Sequence, residues 1–376
     1  MLKLTWRRAA AWRVRRQHLE QRAPAGSLLA VASRLCGLHA QVLSSAELTA
    51  WARVEGLKRG AVQRALWEER TLVKTWAMRG TLHLLPATEL PLWHAALSTN
   101  PRYRRPAFWR RFGLTLDELD RLTRAVAAAL KGRVMTRDEL VREVARRTKS
   151  AAFAKKVALN TWGTILKPAA FAGHLCFGPS IGQRVQFTHP DTWLATAAPP
   201  RDPDAALAVA RRFLAAYGPA TYHDLARWWG GGGVASARPW IASLGDEACL
   251  VEVDGEPAWM LAAHAHEARE LPATRSARLL PAFDQYVVAA SRHAAHLLPG
   301  DFRRRVYRPQ GWISPVLLVN GVMAGIWRHD IKGSRVAVVI EPFVKVAGWT
   351  RRAVGEEAER LAAFLGGGLS LAWRRR

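Results

Sequence analysis

His39 and Gln41 are the residues whose types and spacing most suggest chemistry. They flank Ala40 just ahead of a helix-start signature, Ser44-Ser45-Ala46-Glu47-Leu48. An imidazole titrates near neutral pH and an amide both donates and accepts, so the pair at i and i+2 can converge on one water and activate it. The alternative is a polar helix C-terminus, where the helix dipole favours His. The signature behind the pair recurs as Thr136-Arg137-Asp138-Glu139-Leu140 and Thr221-Tyr222-His223-Asp224-Leu225. Ser or Thr followed three residues later by an acid is a capping box, in which each side chain satisfies a backbone N–H at the helix start. Five and three positions before the box, the second copy has Lys131 and Arg133, which suit phosphate contact. The third has Ala216 and Gly218, which suit packing. Only the first has a pair suited to catalysis.

Other chemical candidates are weaker. His264-Ala265-His266-Glu267 and His293-Ala294-Ala295-His296 contain metal-ligand residue types. Neither forms H-E-x-x-H, and i, i+2 on a helix points two rings apart. Asp284, after an apolar run, reads as a polar strand-end group before it reads as a functional acid. The glycines 230–233 lack the Gly-Lys-Ser/Thr of a phosphate loop, and no G-x-S-x-G elbow occurs. The stretch Arg303-Arg304-Arg305-Val306-Tyr307-Arg308-Pro309-Gln310-Gly311-Trp312 joins cations, a Pro-Gln-Gly turn and two aromatics. Such a loop can enter a groove of DNA, with Arg in the minor groove and an aromatic against a base step; a solvated basic loop is the alternative.

The elements that must position these residues repeat as well. Residues 28–38, the helix after Ser44 and residues 59–69 have helical spacing. The runs 72–77 and 81–85 follow as strands joined by Met78-Arg79-Gly80. Three helices and a hairpin are the winged-helix plan. Helices at 116–130, 136–147 and 153–172 with strands at 175–177 and 184–187 repeat it. So do helices at 203–216, after Thr221 and at 237–243 with strands at 249–253 and 258–261. Pro199-Pro200 marks a linker. Beyond residue 278 come short strands at 279–284, 313–319, 322–328, 336–340 and 343–347, with Asn320-Gly321 as a hairpin turn, then a helix at 351–364 and a frayed basic tail. The expected class is α+β. A basic N-terminal arm (1–26), laid against DNA phosphates or else a basic surface helix, precedes winged helices at 27–114, 115–198 and 199–272, and a C-terminal β-barrel-like domain spans 273–376.

Bulk composition sets the partner class. The 376 residues carry 56 Lys+Arg against 30 Asp+Glu, a net charge of +26, which is the electrostatic footprint of a polyanion binder. GC-rich coding explains an Arg excess over Lys but not the shortage of acids. With 49% hydrophobic residues and 17 Trp, the chain can fill several cores and is not disordered. Three dispersed cysteines without C-x-x-C argue against a zinc site or disulfide framework and fit a reducing cytoplasm. No apolar run reaches the ~18 residues of a membrane span, and the basic N-terminus lacks the apolar core of a secretory signal.

Several motifs together resemble one family. Leu35-Cys36-Gly37-Leu38-His39-Ala40-Gln41, Met78-Arg79-Gly80-Thr81-Leu82-His83, Leu280-Pro281-Ala282-Phe283-Asp284-Gln285-Tyr286, Gly311-Trp312-Ile313-Ser314-Pro315-Val316 and Gly321-Val322-Met323-Ala324-Gly325-Ile326-Trp327 are similar, in this order, to the AlkZ/YcaQ family of winged-helix DNA glycosylases. The resemblance implies three tandem winged helices with a C-terminal barrel, excision of alkylated purines including unhooking of interstrand crosslinks, and no metal or other cofactor. The family's signature is Gln-x-Gln or Gln-x-Asp, so Gln41 matches and His39 is a substitution. Some relatives with His first sit beside pathways for DNA-alkylating antibiotics and act in self-resistance. The resemblance also implies a minor-groove probe at residues 308–312.

The sequence-level expectation is therefore a monofunctional DNA glycosylase acting on N7-alkylguanine-type lesions in double-stranded DNA, as a cytoplasmic monomer. His39 and Gln41 are the catalytic candidates. Arg79, Lys131, Arg133, Arg304, Arg305, Tyr307, Arg308, Gln310 and Trp312 are the DNA-binding candidates. A non-catalytic winged-helix regulator is the rival; it would bind one sequence tightly, whereas a repair enzyme binds through backbone and lesion.

Overall fold

In the computed structural model, which describes residues 1–159, 163–194, 202 and 204–374, helices and strands alternate along the described residues. They fall into two compact units. The first comprises residues 1–62, 211–224 and 241–376, the second 63–210 and 225–240. The expected linker Pro199-Pro200 and the terminal Arg375 and Arg376 lie outside the described residues.

Two of the three expected capping boxes form. Thr136 and Glu139 bond reciprocally (Thr136 N–H to Glu139 Oε2 2.7 Å, Glu139 N–H to Thr136 Oγ1 3.4 Å). Thr221 and Asp224 do the same at 2.9 and 3.1 Å. A further box, Thr115 with Glu118, opens the amphipathic helix Leu116–Leu130. The first box does not form. Its helix, Leu43–Trp51, begins one residue before Ser44, after Val42, which has no capping side chain. Glu47 is then inside the helix, and its carboxylate accepts the N–H of Gly60 at 2.6 Å, an open donor ahead of the helix Ala61–Trp67.

In the first unit, the segment expected as a basic arm is built into the fold. Leu2–Leu4 pairs in parallel with Ala248–Val253, which pairs antiparallel with Glu256–Leu261. The helix Trp6–Arg16 follows, with Trp12 and Val14 fully buried. Its Arg13 guanidinium donates to the Tyr217 and Pro219 carbonyls, at 3.0 and 2.5 Å. Alternation of Arg with Ala and Trp hid this role, because the apolar face is narrow and the cations satisfy backbone carbonyls.

The C-terminal strands form an open five-stranded sheet where a barrel-like closure was expected. Ala277–Leu280, Val316–Val319, Val322–Lys332, Arg335–Pro342 and Gly368–Trp373 lie in that spatial order, antiparallel except for the last, parallel pair. The helix Gly348–Leu365 supplies the missing wall. Its Val354, Ala358, Leu361 and Ala362 join Leu279, Leu317, Val336, Val338 and Ile340 in one core, so the sheet buries an apolar face without closing on itself. The Asn320-Gly321 turn forms as expected, both residues at positive φ (52° and 81°). The expected strand at 343–347 is absent. The tail instead provides an edge strand, tied by the Arg374 N–H to the Ile340 carbonyl (2.9 Å) and by Arg351 over the Trp373 ring (4.5 Å).

In the second unit, Leu72–Trp76 and Leu82–Pro86 form the expected hairpin, Trp76 opposite Leu82. Cys176–Ile181 and Arg184–Thr188 form another, extended by Val134–Thr136. The two hairpins are cemented by the Trp76 ring against Phe177 and Phe187 and by Thr75 donating to the Leu175 carbonyl (3.2 Å). Sequence spacing did not reveal the helix Leu90–Ser98, which buries Trp93 and Leu97, or the surface helix Pro106–Arg110, which buries no residue.

Burial, reinforced by the neighbouring imidazoles of His174 and His189, holds His94 in the second unit at a pKa of about 4. An unfolded His titrates near ~6.5, so the unfolded chain takes up the proton first as pH falls. The stabilisation from keeping His94 neutral is full above that value and is lost as pH drops toward about 4. Urea unfolding followed by Trp fluorescence is expected to show a loss on the order of 2 kcal/mol between about pH 7 and pH 4.5 that His94→Leu removes. An unchanged pH slope in the variant would show that other groups set it.

Candidate active site

His39 and Gln41 leave the helix Leu28–Arg34 through a tight reversal. The Cys36 N–H bonds the Ser33 carbonyl (2.9 Å) and the Gly37 N–H the Ala32 carbonyl (2.7 Å). Both residues are left-handed, Cys36 at φ 58° and Gly37 at φ 96°, the six-to-one closure that ends a helix. The chain then runs extended through Leu38–His39. His39 is 5% exposed and Ala40 fully buried, while Gln41 is exposed. The pair therefore spans the boundary from interior to surface, with the imidazole shielded and the amide in solvent.

A second loop meets this one. Residues 280–286, Leu-Pro-Ala-Phe-Asp-Gln-Tyr, lead from the strand Ala277–Leu280 into the short helix Gln285–Ala289. Phe283, at φ 58°, stacks nearly parallel on the His39 ring, with centroids 5.2 Å apart and planes 13° apart. Its edge contacts Trp312, 4.9 Å away at 76°. Gln285, wholly buried, donates its side-chain amide to the Gly37 carbonyl. Asp284, also wholly buried, takes a two-pronged bond from Arg53, with Nη1 to Oδ2 at 2.7 Å and Nη2 to Oδ1 at 2.8 Å. Asp284 further accepts the Tyr286 N–H (2.9 Å), and Arg53 donates to the Thr49 carbonyl (3.0 Å). Asp284 is thus the strand-end strut, not an open acid. Arg53 had no local sequence signal, because its role exists only once Asp284 arrives from 231 residues away.

The arginine-rich stretch near Trp312 divides. Arg305 pairs with Glu341 at 2.6 Å and covers Phe343, and Tyr307 turns its hydroxyl to the Val287 carbonyl (3.4 Å). These two build the loop. Arg304, Arg308, Gln310 and Trp312 are exposed on it, and Trp312 is 47% exposed. Gln310 and Gly311 both take positive φ, and Arg308 N–H to Trp312 O (2.8 Å) closes the turn. In the second unit, Arg79 sits at φ 59° in its hairpin turn and donates to the Trp228 carbonyl (2.7 Å). Gly230 packs so closely there that a Cβ would lie 2.5 Å from the Arg79 Cα. Lys131 and Arg133 are exposed beside Val134–Thr136, with Arg133 3.8 Å from Glu143. Of the histidines considered as ligands, His296 lies flat on Trp6 (3.5 Å, 5°), His264 faces Trp12 (5.1 Å), and His293 accepts from Arg303 (3.0 Å).

A family model described as DNA glycosylase AlkZ-like matches residues 32–364, which include both loops and the exposed turn. The chain belongs to the AlkZ-like DNA glycosylase family. It is 36% identical over 370 residues to an interstrand DNA cross-link repair glycosylase of Streptomyces sahachiroi, covering 97% of this chain and 98% of that one. The solved structure of Streptomyces sahachiroi DNA glycosylase AlkZ superposes with a TM-score of 0.88 at 35% identity over the full length of both chains. Glycosylase-family membership favours an enzyme over a regulator, and the two chains share their overall fold.

The Arg53–Asp284 pair anchors the loop that backs His39, which makes it testable apart from chemistry. Arg53→Met leaves a buried carboxylate without its partner and is expected to cost about 3–5 kcal/mol, read as a fall in urea midpoint. Arg53→Met combined with Asp284→Leu is expected to recover part of that loss. Additive losses in the double variant would contradict the coupling.

Proposed function

We propose that this protein hydrolyses the N-glycosidic bond of alkylated purines in duplex DNA, N7-alkylguanine above all, and leaves an abasic site. The observation that carries the reading is the shielded His39 imidazole, locked on Phe283 beside the solvent-facing Gln41, in a chain of net charge +26. An N7-alkylated guanine is already cationic, so its bond to the sugar breaks without strong acid. The protein has only to stabilise a positively charged, oxocarbenium-like sugar and deliver water to its far face. Gln41 positions that water, and His39 accepts its proton or stabilises the developing charge. Stacking on Phe283 fixes the ring plane, which confines proton transfer to one direction. No lysine adjoins the pair, so the reaction ends in hydrolysis without a Schiff base.

The relative's description as a crosslink repair glycosylase extends the substrate range proposed here to interstrand crosslinks, alongside bulky antibiotic monoadducts, in repair or self-resistance. The three helix-and-hairpin segments serve as winged helices of a monomer that works at the nucleoid. Lys131 and Arg133 face DNA phosphates, Arg79 braces its hairpin turn through the Trp228 carbonyl, and the turn carrying Arg304, Arg308, Gln310 and Trp312 probes the minor groove, supported from behind by Arg305 and Tyr307.

Duplexes carrying N7-methylguanine, a bulky intercalated N7 adduct or a crosslink, scored by alkali-revealed abasic sites, test this directly. His39→Ala and Gln41→Ala are each expected to slow release by ~10²–10⁴-fold with duplex binding retained. A double variant releasing base at the parent rate would end the mechanism, and borohydride trapping of a protein–DNA adduct would replace hydrolysis with lyase chemistry. Trp312→Ala is expected to reduce excision of the bulky adduct and the crosslink more than that of N7-methylguanine; an equal loss on all three would assign Trp312 to general DNA affinity.

A further inference from the structure

The first unit contains an open pocket of about 690 Å³ that the base-excision reading does not use. The end of the helix Trp6–Arg16, the turn after it, Arg34 and Glu267 line it. Most charges on its wall are already matched. Arg15 lies 3.7 Å from Glu267, and Arg22 pairs with Glu357 and lies 3.8 Å from Glu55. Glu20 acts on Arg278, which also donates to its backbone carbonyl at 2.8 Å. Arg16, His18 and Arg34 are left. Among the described residues neither Arg16 nor Arg34 forms an ion pair. Arg16 is held in place by its Nε bond to the Ala215 carbonyl (3.3 Å) and by the Trp12 ring beneath it (5.4 Å). His18 is placed by a left-handed backbone, φ 56°, a costly conformation for a residue with a Cβ.

We propose that Arg16, His18 and Arg34 form an anion site for a phosphate group, separate from the His39–Gln41 pair. Glu267, the nearest carboxylate on the wall, acts on Arg16 but pairs with Arg15, so three half-buried cationic or protonatable groups stand against an acid already shared, and a bound phosphate turns their residual repulsion into charge-assisted hydrogen bonds. Burial, then Arg34, Arg53 and Arg16, hold the His18 imidazole below its ordinary pKa, and Arg16 itself is lowered by burial and by Arg34 against the opposing pull of Glu267. The pocket has room for more than a bare phosphate, so a sugar-linked phosphate also fits. Arg34 is the last residue of the helix Leu28–Arg34, immediately before the Cys36-Gly37 reversal that leads to His39. An anion held there clamps the base of the catalytic loop. The same chemistry has two sources, a phosphate of the DNA backbone or free inorganic phosphate. The site does not depend on the excision chemistry.

The test is an NMR pH titration of the His18 ring on the full-length protein, assigned with His18→Gln, in inorganic phosphate and in chloride at equal ionic strength. Phosphate is expected to raise the His18 pKa, and Arg34→Gln or Arg16→Gln to abolish that rise and weaken phosphate binding about tenfold or more. Arg34→Lys, which keeps the charge, is expected to retain the rise and guards against misfolding as the cause. A parallel titration with an undamaged duplex separates the sources. A rise with duplex that phosphate competes away assigns a backbone phosphate, and a rise with inorganic phosphate alone assigns the free ion. If His18 titrates identically in chloride, phosphate and duplex, or if Arg34→Gln responds as the parent does, the proposal is overturned.

Discussion

The Arg53–Asp284 pair is the constraint on which the candidate site depends. Two fully buried charges lose much hydration, and such a pair persists only where geometry and further hydrogen bonds compensate. Here the guanidinium meets the carboxylate through both prongs, and each partner makes a further backbone bond, to Thr49 and from Tyr286. An apolar pair would hold the same space with less cost but would not fix the angle. The ion pair sets the position of residues 280–286 against the end of the helix Leu43–Trp51, and through Gln285 against the Gly37 carbonyl. It joins two loops that each contain left-handed residues: Cys36 and Gly37 in one, Phe283 in the other. Conformations of that kind survive where the surroundings over-determine them.

What this frame presents is an aromatic sequence from interior to surface: His39, then Phe283, then Trp312. A ring stacked at 13° and shielded from water has little freedom, which suits a group that must meet one water in one orientation. Trp312 extends the sequence into solvent on a turn whose basic residues are partly spent on structure and partly left exposed. The strong positive charge of the chain is likewise divided. Arg13, Arg53, Arg79 and Arg305 satisfy carbonyls or carboxylates within the fold, while Lys131 and Arg308 face solvent. Net charge thus overstates the surface available to a polyanion, and the location of each guanidinium decides its role.

The local elements were largely legible. The hairpin at 72–86, the boxes at Thr136 and Thr221, the Asn320-Gly321 turn and the C-terminal helix follow from side-chain periodicity and turn chemistry acting over a few residues. The failures share a cause. Glu47 has the spacing of a capping acid, but the open N–H of Gly60 competes for it. Gly368–Trp373, which runs into the basic end expected to fray, gives no strand signal until Arg335–Pro342 offers an edge to pair with. The basic N-terminal segment reads as an arm until Ala248–Val253 receives Leu2–Leu4.

By itself the sequence determined the partner class, the repeating helix-and-hairpin plan, and the one place where a histidine and an amide stand where the other copies carry cations or small residues. Those properties are sums over composition or patterns within a short span, which the chain carries before it folds. Tertiary structure alone decided that His39 is buried and Gln41 exposed, that Asp284 is a strut with Arg53 as its partner, and that the C-terminal sheet stays open. Each of these is a meeting of groups far apart in the chain, and its energy exists only when both are present.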